Sequence, residues 1–399
     1  MRLLLLFSAT SAGLGCTVID RAGERAFLRG HYGRAIDALA ARSEQATNDY
    51  ALEENLLGTA ALVGGDYRTA RRALLAAGQV MGSFPGTTAS EIAALVGAES
   101  NKFYLGDPYE VAMNSLYLGL VFLRHGDTDN ALAAFKQGII ADASSRAEEH
   151  QADNVELYLL ASMLLFHAGS EELAQQYLAQ VKEIAPEHPF AHETYLRRSN
   201  TVIVVDVGDG PRKIGIGPYG HQVAFDFQEP LESQVSLRIG ERHVSDPALG
   251  VDIGYQAATR GRRALDTLLA AKAGTKIATE QAGLLIVQAG VAERDSKLTM
   301  IGTALLFLSA LIQPQADLRH WHLLPGQQRL WIGRVQPGLR TARLDFATAG
   351  GRPLPAFQQI WHHLPFHEAT WNVYYFRAAA HKGFRRSPRP DSNLEGNES

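Results

Sequence analysis

The sequence has a single cysteine, Cys16, in 399 residues. No internal disulfide can form, and no thiolate metal cluster can be built. Neither sign of charge dominates: 38 Lys and Arg stand against 42 Asp and Glu, a formal net charge of −4. That balance lacks the basic footprint of a nucleic-acid-binding surface, so no nucleic-acid partner is expected. Long apolar runs are scarce as well. Leu298 to Ile312 carries no charge over fifteen positions, still short of the roughly 18–20 apolar residues a spanning helix needs. No serine nucleophile elbow, paired-carboxylate motif or lysine-bearing phosphate loop is visible. What remains, at 46% hydrophobic and 20% charged, is ordinary globular usage for two or three domains.

The first half is built on repetition. Gly30-His31-Tyr32 with Ala35, Gly65-Asp66-Tyr67 with Ala70, Gly126-Asp127-Thr128 with Ala131, and Gly169-Ser170-Glu171 with Ala174 share one layout. Each glycine can take the positive φ of a tight helix-to-helix turn, and each alanine lets paired helices approach closely. The first two glycines are 35 residues apart, near the roughly 34-residue period of the tetratricopeptide pattern. The later intervals, 61 and 43 residues, imply insertions between Met81 and Asn114 and between Ala143 and Asn154. Such arrays have a concave face that holds a peptide or a partner's helix.

The first insertion contains Lys102, Tyr104, Asp107, Tyr109 and Glu110 around Asp107-Pro108. Proline forces an extended entry into a helix whose first turn carries Glu110, a favourable charge at that end. Two readings follow: these five residues present a rigid, aromatic-rich turn to a protein partner, or the tyrosines plug the gap between repeats.

After Asn200 the periodicity changes. Thr201 to Val205 reads as a strand closed by Gly208-Asp209-Gly210-Pro211, with further strands at Arg212 to Ile216, His221 to Phe227 and Gln234 to Ile239. Helices are expected over Arg260 to Ala273 and Ile277 to Val291, and Leu298 to Ile312 reads as a core helix, with membrane or oligomer contact as the alternative. Strands return at Gln328 to Arg334, Arg340 to Phe346, Phe357 to His362 and Trp371 to Arg377. Together they predict a small antiparallel sandwich completed by the strands before residue 240. In the segment before them, Asp317 and Arg319 can pair with Trp321 beside them, and Pro325 closes a unit that reads as structural. The competing chemistry is a metal site: His320 and His322 alternate on one face, and His362, His363 and His367 offer further donors.

At the amino end, Met1-Arg2, the apolar run Leu3 to Phe7 and small residues before Cys16 fit an export signal. The pattern resembles a bacterial lipobox, which implies lipidation of Cys16; Gly13 stands where that pattern prefers leucine. Thr17 rather than Asp after the cysteine favours the outer membrane. The lipid signal, the repeats, Lys102-x-Tyr104-x-Gly106-x-Pro108-Tyr109-Glu110, the strand and Gly-x-x-Pro over Val202 to Pro211, and Asp317-x-Arg319-x-Trp321-x-x-Leu324-Pro325 resemble the uncharacterised bacterial tetratricopeptide lipoproteins. The likeness runs over most of residues 16 to 346.

The expectation is therefore an α+β chain: a signal peptide (1–15), a helical repeat array (16–198), an α+β domain (199–380) and a polar, disordered tail (381–399). The resemblance implies a cell-envelope location and no established reaction, and with the repeat array it gives the expectation of a scaffold tethered to the periplasmic face of the outer membrane, holding an envelope protein in an assembly, secretion or surface machine. No cofactor and no catalysis are expected. The alternative is a metal-dependent periplasmic enzyme using the histidines; the oligomeric state is left open.

Overall fold

The computed structural model describes residues 21–82, 103–143, 153–217, 219–260 and 316–379, with scattered helical residues between 276 and 306. Outside these lie the leader with Cys16, Lys102, the helix expected over Arg260 to Ala273 but for its first residue, most of Leu298 to Ile312, and the tail.

The expected repeats are present as four antiparallel helix pairs. They are α1 (Ala22–Leu28) with α2 (Tyr32–Ser43), α3 (Tyr50–Gly64) with α4 (Tyr67–Met81), α5 (Pro108–Arg124) with α6 (Thr128–Asp142), and α7 (Val155–His167) with α8 (Glu171–Ile184). Their turn glycines 30, 65, 126 and 169 have φ of 75°, 81°, 76° and 75°, the left-handed region that other residues enter at a cost. Packing repeats with the same phase. Seven residues before each turn glycine stand Gly23, Gly58, Gly119 and Ser162, and nine after it stand Leu39, Leu74, Phe135 and Leu178. A Cβ on Gly119 would come within 2.4 Å of the Phe135 ring. In the fourth pair the Ser162 hydroxyl instead donates to the Ala174 carbonyl at 2.9 Å.

The two helices of a pair differ in burial. α2, α4, α6 and α8 bury one stripe each, such as Ala70, Ala73, Leu74 and Ala77 in α4. By contrast, α3 is buried continuously from Ala51 to Leu62, α5 from Ala112 to Leu123 and α7 from Val155 to Phe166. A helix apolar all round must be covered on both sides. The outer helices supply one cover, and the second half of the chain supplies the other.

That half begins after α9 (Glu193–Arg198) with β1 (Thr201–Val207), β2 (Arg212–Ile216), β3 (Gln222–Asp226), β4 (Gln234–Ile239), β5 (Arg242–His243) and β6 (Ala248–Asp252), then α10 (Ile253–Arg260). It ends with β7 (Gln327–Gly333), β8 (Gly338–Ala347), β9 (Gln359–Phe366) and β10 (Asn372–Arg377). The strand positions match the expectation closely, with β5 and β6 additional. Their assembly is more mixed. One sheet runs β10-β1-β7-β6, a second β5-β4-β8-β9, and β2 with β3 form a separate hairpin. Among the described residues all pairings are antiparallel except β1 with β10, which is parallel over Thr201↔Asn372 to Asp206↔Arg377. The sheets meet where β9 packs against β10, with Trp361 on Phe376 at 4.0 Å and Phe366 on Tyr374 at 5.1 Å between ring centroids. One continuous cluster of buried apolar side chains extends from Phe27 in α1 to Ala378 beyond β10. The array and the sheets thus share a core.

Candidate functional site

The chemically richest region among the described residues is the joint between the inner helices and the second half. It starts at the amino end of α5. Pro108 occupies the first turn, and the Glu110 carboxylate accepts the Asp107 backbone N–H at 2.7 Å, closing a capping box. Both acids are buried, at 2% and 0% exposure, and burying two carboxylates requires compensation.

Lys213 of β2 provides it. Its ammonium lies 2.6 Å from Asp107 and 3.3 Å from Glu110, fully covered, and donates to the Arg319 carbonyl at 2.9 Å. The other Glu110 oxygen accepts the Trp321 backbone N–H at 2.7 Å. The Trp321 indole donates to Thr59 of α3 at 2.9 Å and packs edge-on against Tyr117 of α5, 5.5 Å between centroids. The segment from Asp317 to Pro325 therefore lies along the inner faces of three repeats. Arg319 bridges Asp317 and Asp49, both at 2.6 Å. His322 reaches Glu24 of α1 at 3.1 Å. Burial alone would raise the Glu24 pKa, but hydrogen bonds from His322 and Arg42 outweigh it and hold the carboxyl at about 2.

A second set of contacts lies around β10. Arg124 at the end of α5 stacks between the rings of Tyr67 and Tyr374, 5.0 and 5.1 Å away, and donates to the Val373 carbonyl at 2.7 Å. Deeper in, Asp206 of β1 accepts from Tyr375 at 2.5 Å and from Gln328 at 2.7 Å, with Arg377 3.5 Å away. Burial dominates and pushes the Asp206 carboxyl up to about 6 despite these partners. Glu156 of α7 is fully buried nearby, and neither of its oxygens has a hydrogen-bond partner among the described residues. Burial, with the Asp206 charge adding to it, raises Glu156 to about 8.

Four of the five residues singled out around Asp107-Pro108 are thus brought together, though inward. Tyr104, Asp107, Tyr109 and Glu110 are each at most 2% exposed. Tyr104 lies beneath Lys213 and Arg319, and Tyr109 packs edge-on against Phe225 of β3. They hold the chain's own second half, so in this structure their side chains are not offered to another molecule. Asp317, Arg319, Trp321 and Pro325 sit on the opposite side of the same joint.

The histidines do not converge. His320 and His322 have ring centroids 5.9 Å apart, with His320 Nδ1 on the Leu318 carbonyl. His362 and His363 lie on β9, where His362 contacts Thr341 and His363 has φ 59° at a bulge. His367 uses its backbone N–H on Asn372. Among the described residues no group of three or more His, Cys, Asp or Glu could hold a metal ion. Sequence reasoning missed Lys213, Glu156, Asp206 and Arg377. A lone lysine on a strand or a lone acid in an apolar helix gives no motif, although Glu156 inside the run Val155 to Phe166 was a visible anomaly.

No family model and no curated protein matches the chain. Solved structures similar to part of it include two tetratricopeptide-like neighbours. YrrB, a tetratricopeptide protein described as having an unusual peptide-binding site, is 17% identical over 43% of this chain and 69% of that one, with a TM-score of 0.29. MamA is 16% identical over 42% of this chain and 89% of that one, with a TM-score of 0.24.

Proposed function

We propose that this chain is a cell-envelope lipoprotein that serves as a rigid protein-binding scaffold, anchored through Cys16 to the outer membrane on its periplasmic face. Its work would be assembly or regulation of an envelope, secretion or surface machine. The observation that carries the scaffold reading is the repeat array whose inner helices are fixed to the second half by buried ion pairs. That joint makes the two halves one platform and leaves the outer helices α2, α4, α6 and α8 exposed along one stripe each. Repeat arrays work by presenting surface, and Leu75 on α4 and Ile140 on α6, 40% and 64% exposed, are apolar points on it.

The test is recovery of partners from detergent-solubilised envelopes with tagged wild type, a Cys16→Ala form, and a form with Leu75→Glu and Ile140→Glu. The expected result is an outer-membrane wild type with a reproducible envelope partner, a Cys16→Ala form that fails to fractionate there, and an outer-helix variant that is anchored without its partner. A chain that is soluble in both the wild-type and Cys16→Ala forms and recovers nothing would end the reading.

A further inference from the structure

The segment between α10 and Asp317 presents apolar side chains that its own fold leaves open. The described residues between 276 and 289 are helical. Lys276 and Glu280 hold one side of this helix to the turn between β2 and β3: the Lys276 ammonium lies 5.1 Å over the Tyr219 ring, and the Tyr219 hydroxyl donates to Glu280. The other side carries Ala278, Gln281, Ala282, Leu285, Gln288 and Ala289, all exposed, Leu285 at 66%. Their spacing of i, i+3, i+4, i+7, i+10 and i+11 makes one stripe. Further on, Met300 and Ile301 are 68% and 50% exposed, so the core helix expected over Leu298 to Ile312 does not hold at these two residues.

Water is a poor partner for the stripe, because a solvated helix face normally carries charge and residues 281–292 have none. Lipid is a poor partner too. Even fully helical, those residues would reach only about 18 Å, against a hydrocarbon core of about 30 Å. The Gln281 and Gln288 amides would also go unbonded among acyl chains. The stripe is instead complementary to itself. Reversed about Leu285, Gln281 falls on Ala289, Ala282 on Gln288, and Leu285 on its own copy. Large side chains then meet small ones, and Gln281 of one copy lies beside Gln288 of the other, where amide can bond to amide. A two-fold contact requires this symmetry.

We infer that the stripe is a homodimer interface: two copies of this chain pair their 276–289 helices antiparallel, with Leu285 on the two-fold axis. The pairing does not depend on a lipid at Cys16.

The experiment uses the full-length protein in mild detergent, with wild type as the control for the Cys16 thiol. Sedimentation over a concentration series should give a dimer for wild type and for Leu285→Met. Leu285→Glu should weaken association by about tenfold or more, since it brings two carboxylates together on the axis, while circular dichroism stays unchanged. Under mild oxidation Leu285→Cys should cross-link to a dimer several-fold faster than Glu172→Cys, an exposed position on α8. Ala282→Cys mixed with Gln288→Cys should cross-link faster than either alone. If Leu285→Glu fails to fold, the cross-links decide. A wild type that is monomeric throughout the series overturns the pairing, and so does a dimer in which Leu285→Cys reacts no faster than Glu172→Cys. A mixture no faster than its components overturns the antiparallel register. A monomer that binds phospholipid vesicles and is released by Leu285→Glu gives the stripe to lipid and overturns the dimer.

Discussion

Lys213 and Glu110 come from opposite halves of the chain, yet the lysine Nζ lies 3.3 Å from the Glu110 carboxylate with neither side chain exposed. With Asp107 at 2.6 Å, the lysine serves two acids at once. Such a group contributes little net stability while complete, because desolvation offsets attraction, but removing one member strands the others.

Lys213→Met is expected to destabilise the protein by about 3–5 kcal/mol, since Asp107 and Glu110 would be left buried without a cation. Restoring balance with Lys213→Met, Asp107→Asn and Glu110→Gln together should recover part of that loss. Denaturant unfolding of the three proteins checks it, and a Lys213→Met protein as stable as wild type would refute the ionic joint.

The Trp321 indole donates to Thr59 across the joint at 2.9 Å, a bond that Thr59→Val removes at almost constant volume. The loss should be about 1–3 kcal/mol, the cost of an unpaired buried donor. Trp321→Phe at the same site loses the donor along with the acceptor's need, and opens a space beside Tyr117. Comparing the two by thermal unfolding separates the hydrogen bond from packing.

Much of the repeat architecture can be read from residues alone, because a glycine turn followed five residues later by alanine is a local signal. Strand positions are legible for the same reason: β-branched runs such as Val202 to Val205 end at Gly208. The parallel pairing of β1 with β10 is not local, joining Thr201 to Asn372, and no nearby pattern announces it. Tyr104, Asp107, Tyr109 and Glu110 stood out as an unusual group, yet their composition suits an interface with another molecule as well as one within the chain. The clue to the closed face was in α3, α5 and α7. Leu116 to Leu123 and Tyr158 to Phe166 have no solvated side, which an open concave groove would require.

Gly119→Ala tests the repeat packing directly. Its Cβ would lie 2.4 Å from the Phe135 ring, an overlap that forces helices α5 and α6 apart and costs about 1–3 kcal/mol. Adding Phe135→Leu should recover stability, because the fourth pair carries Ser162 and Leu178 at the same two positions. Gly126→Ala is the contrast. Nothing lies within 4 Å of its Cβ, so its cost of about 1 kcal/mol comes from the left-handed backbone and no change at Phe135 relieves it.

Glu156 gives a pH signature. Its oxygens have no hydrogen-bond partner among the described residues, and Gly250 at the bulge of β6 leaves the room they occupy: a Cβ there would come within 2.3 Å of Oε2. Burial raises its pKa from 4.5 to about 8, so the folded chain prefers the neutral acid. A group raised on folding contributes fully below its unfolded value and loses that contribution as pH rises through the folded value. Stability should therefore decline between about pH 4.5 and 8, by a few kcal/mol in total, since each pKa unit is worth about 1.4 kcal/mol. Asp206, raised to about 6, adds a smaller decline in the same direction over its own range. Glu156→Gln cannot ionise and keeps the shape, so it should flatten the pH 6–8 part of the curve and exceed wild type in stability at pH 8. Denaturant midpoints measured at pH 5, 6.5 and 8 decide the matter. Parallel curves for the two proteins would mean that Glu156 is ionised in the folded state and has found a countercharge. Between about pH 4.5 and 6 both carboxyls contribute, so Glu156→Gln should shed its own share of the slope there, and the remainder should disappear only when Asp206→Asn is added.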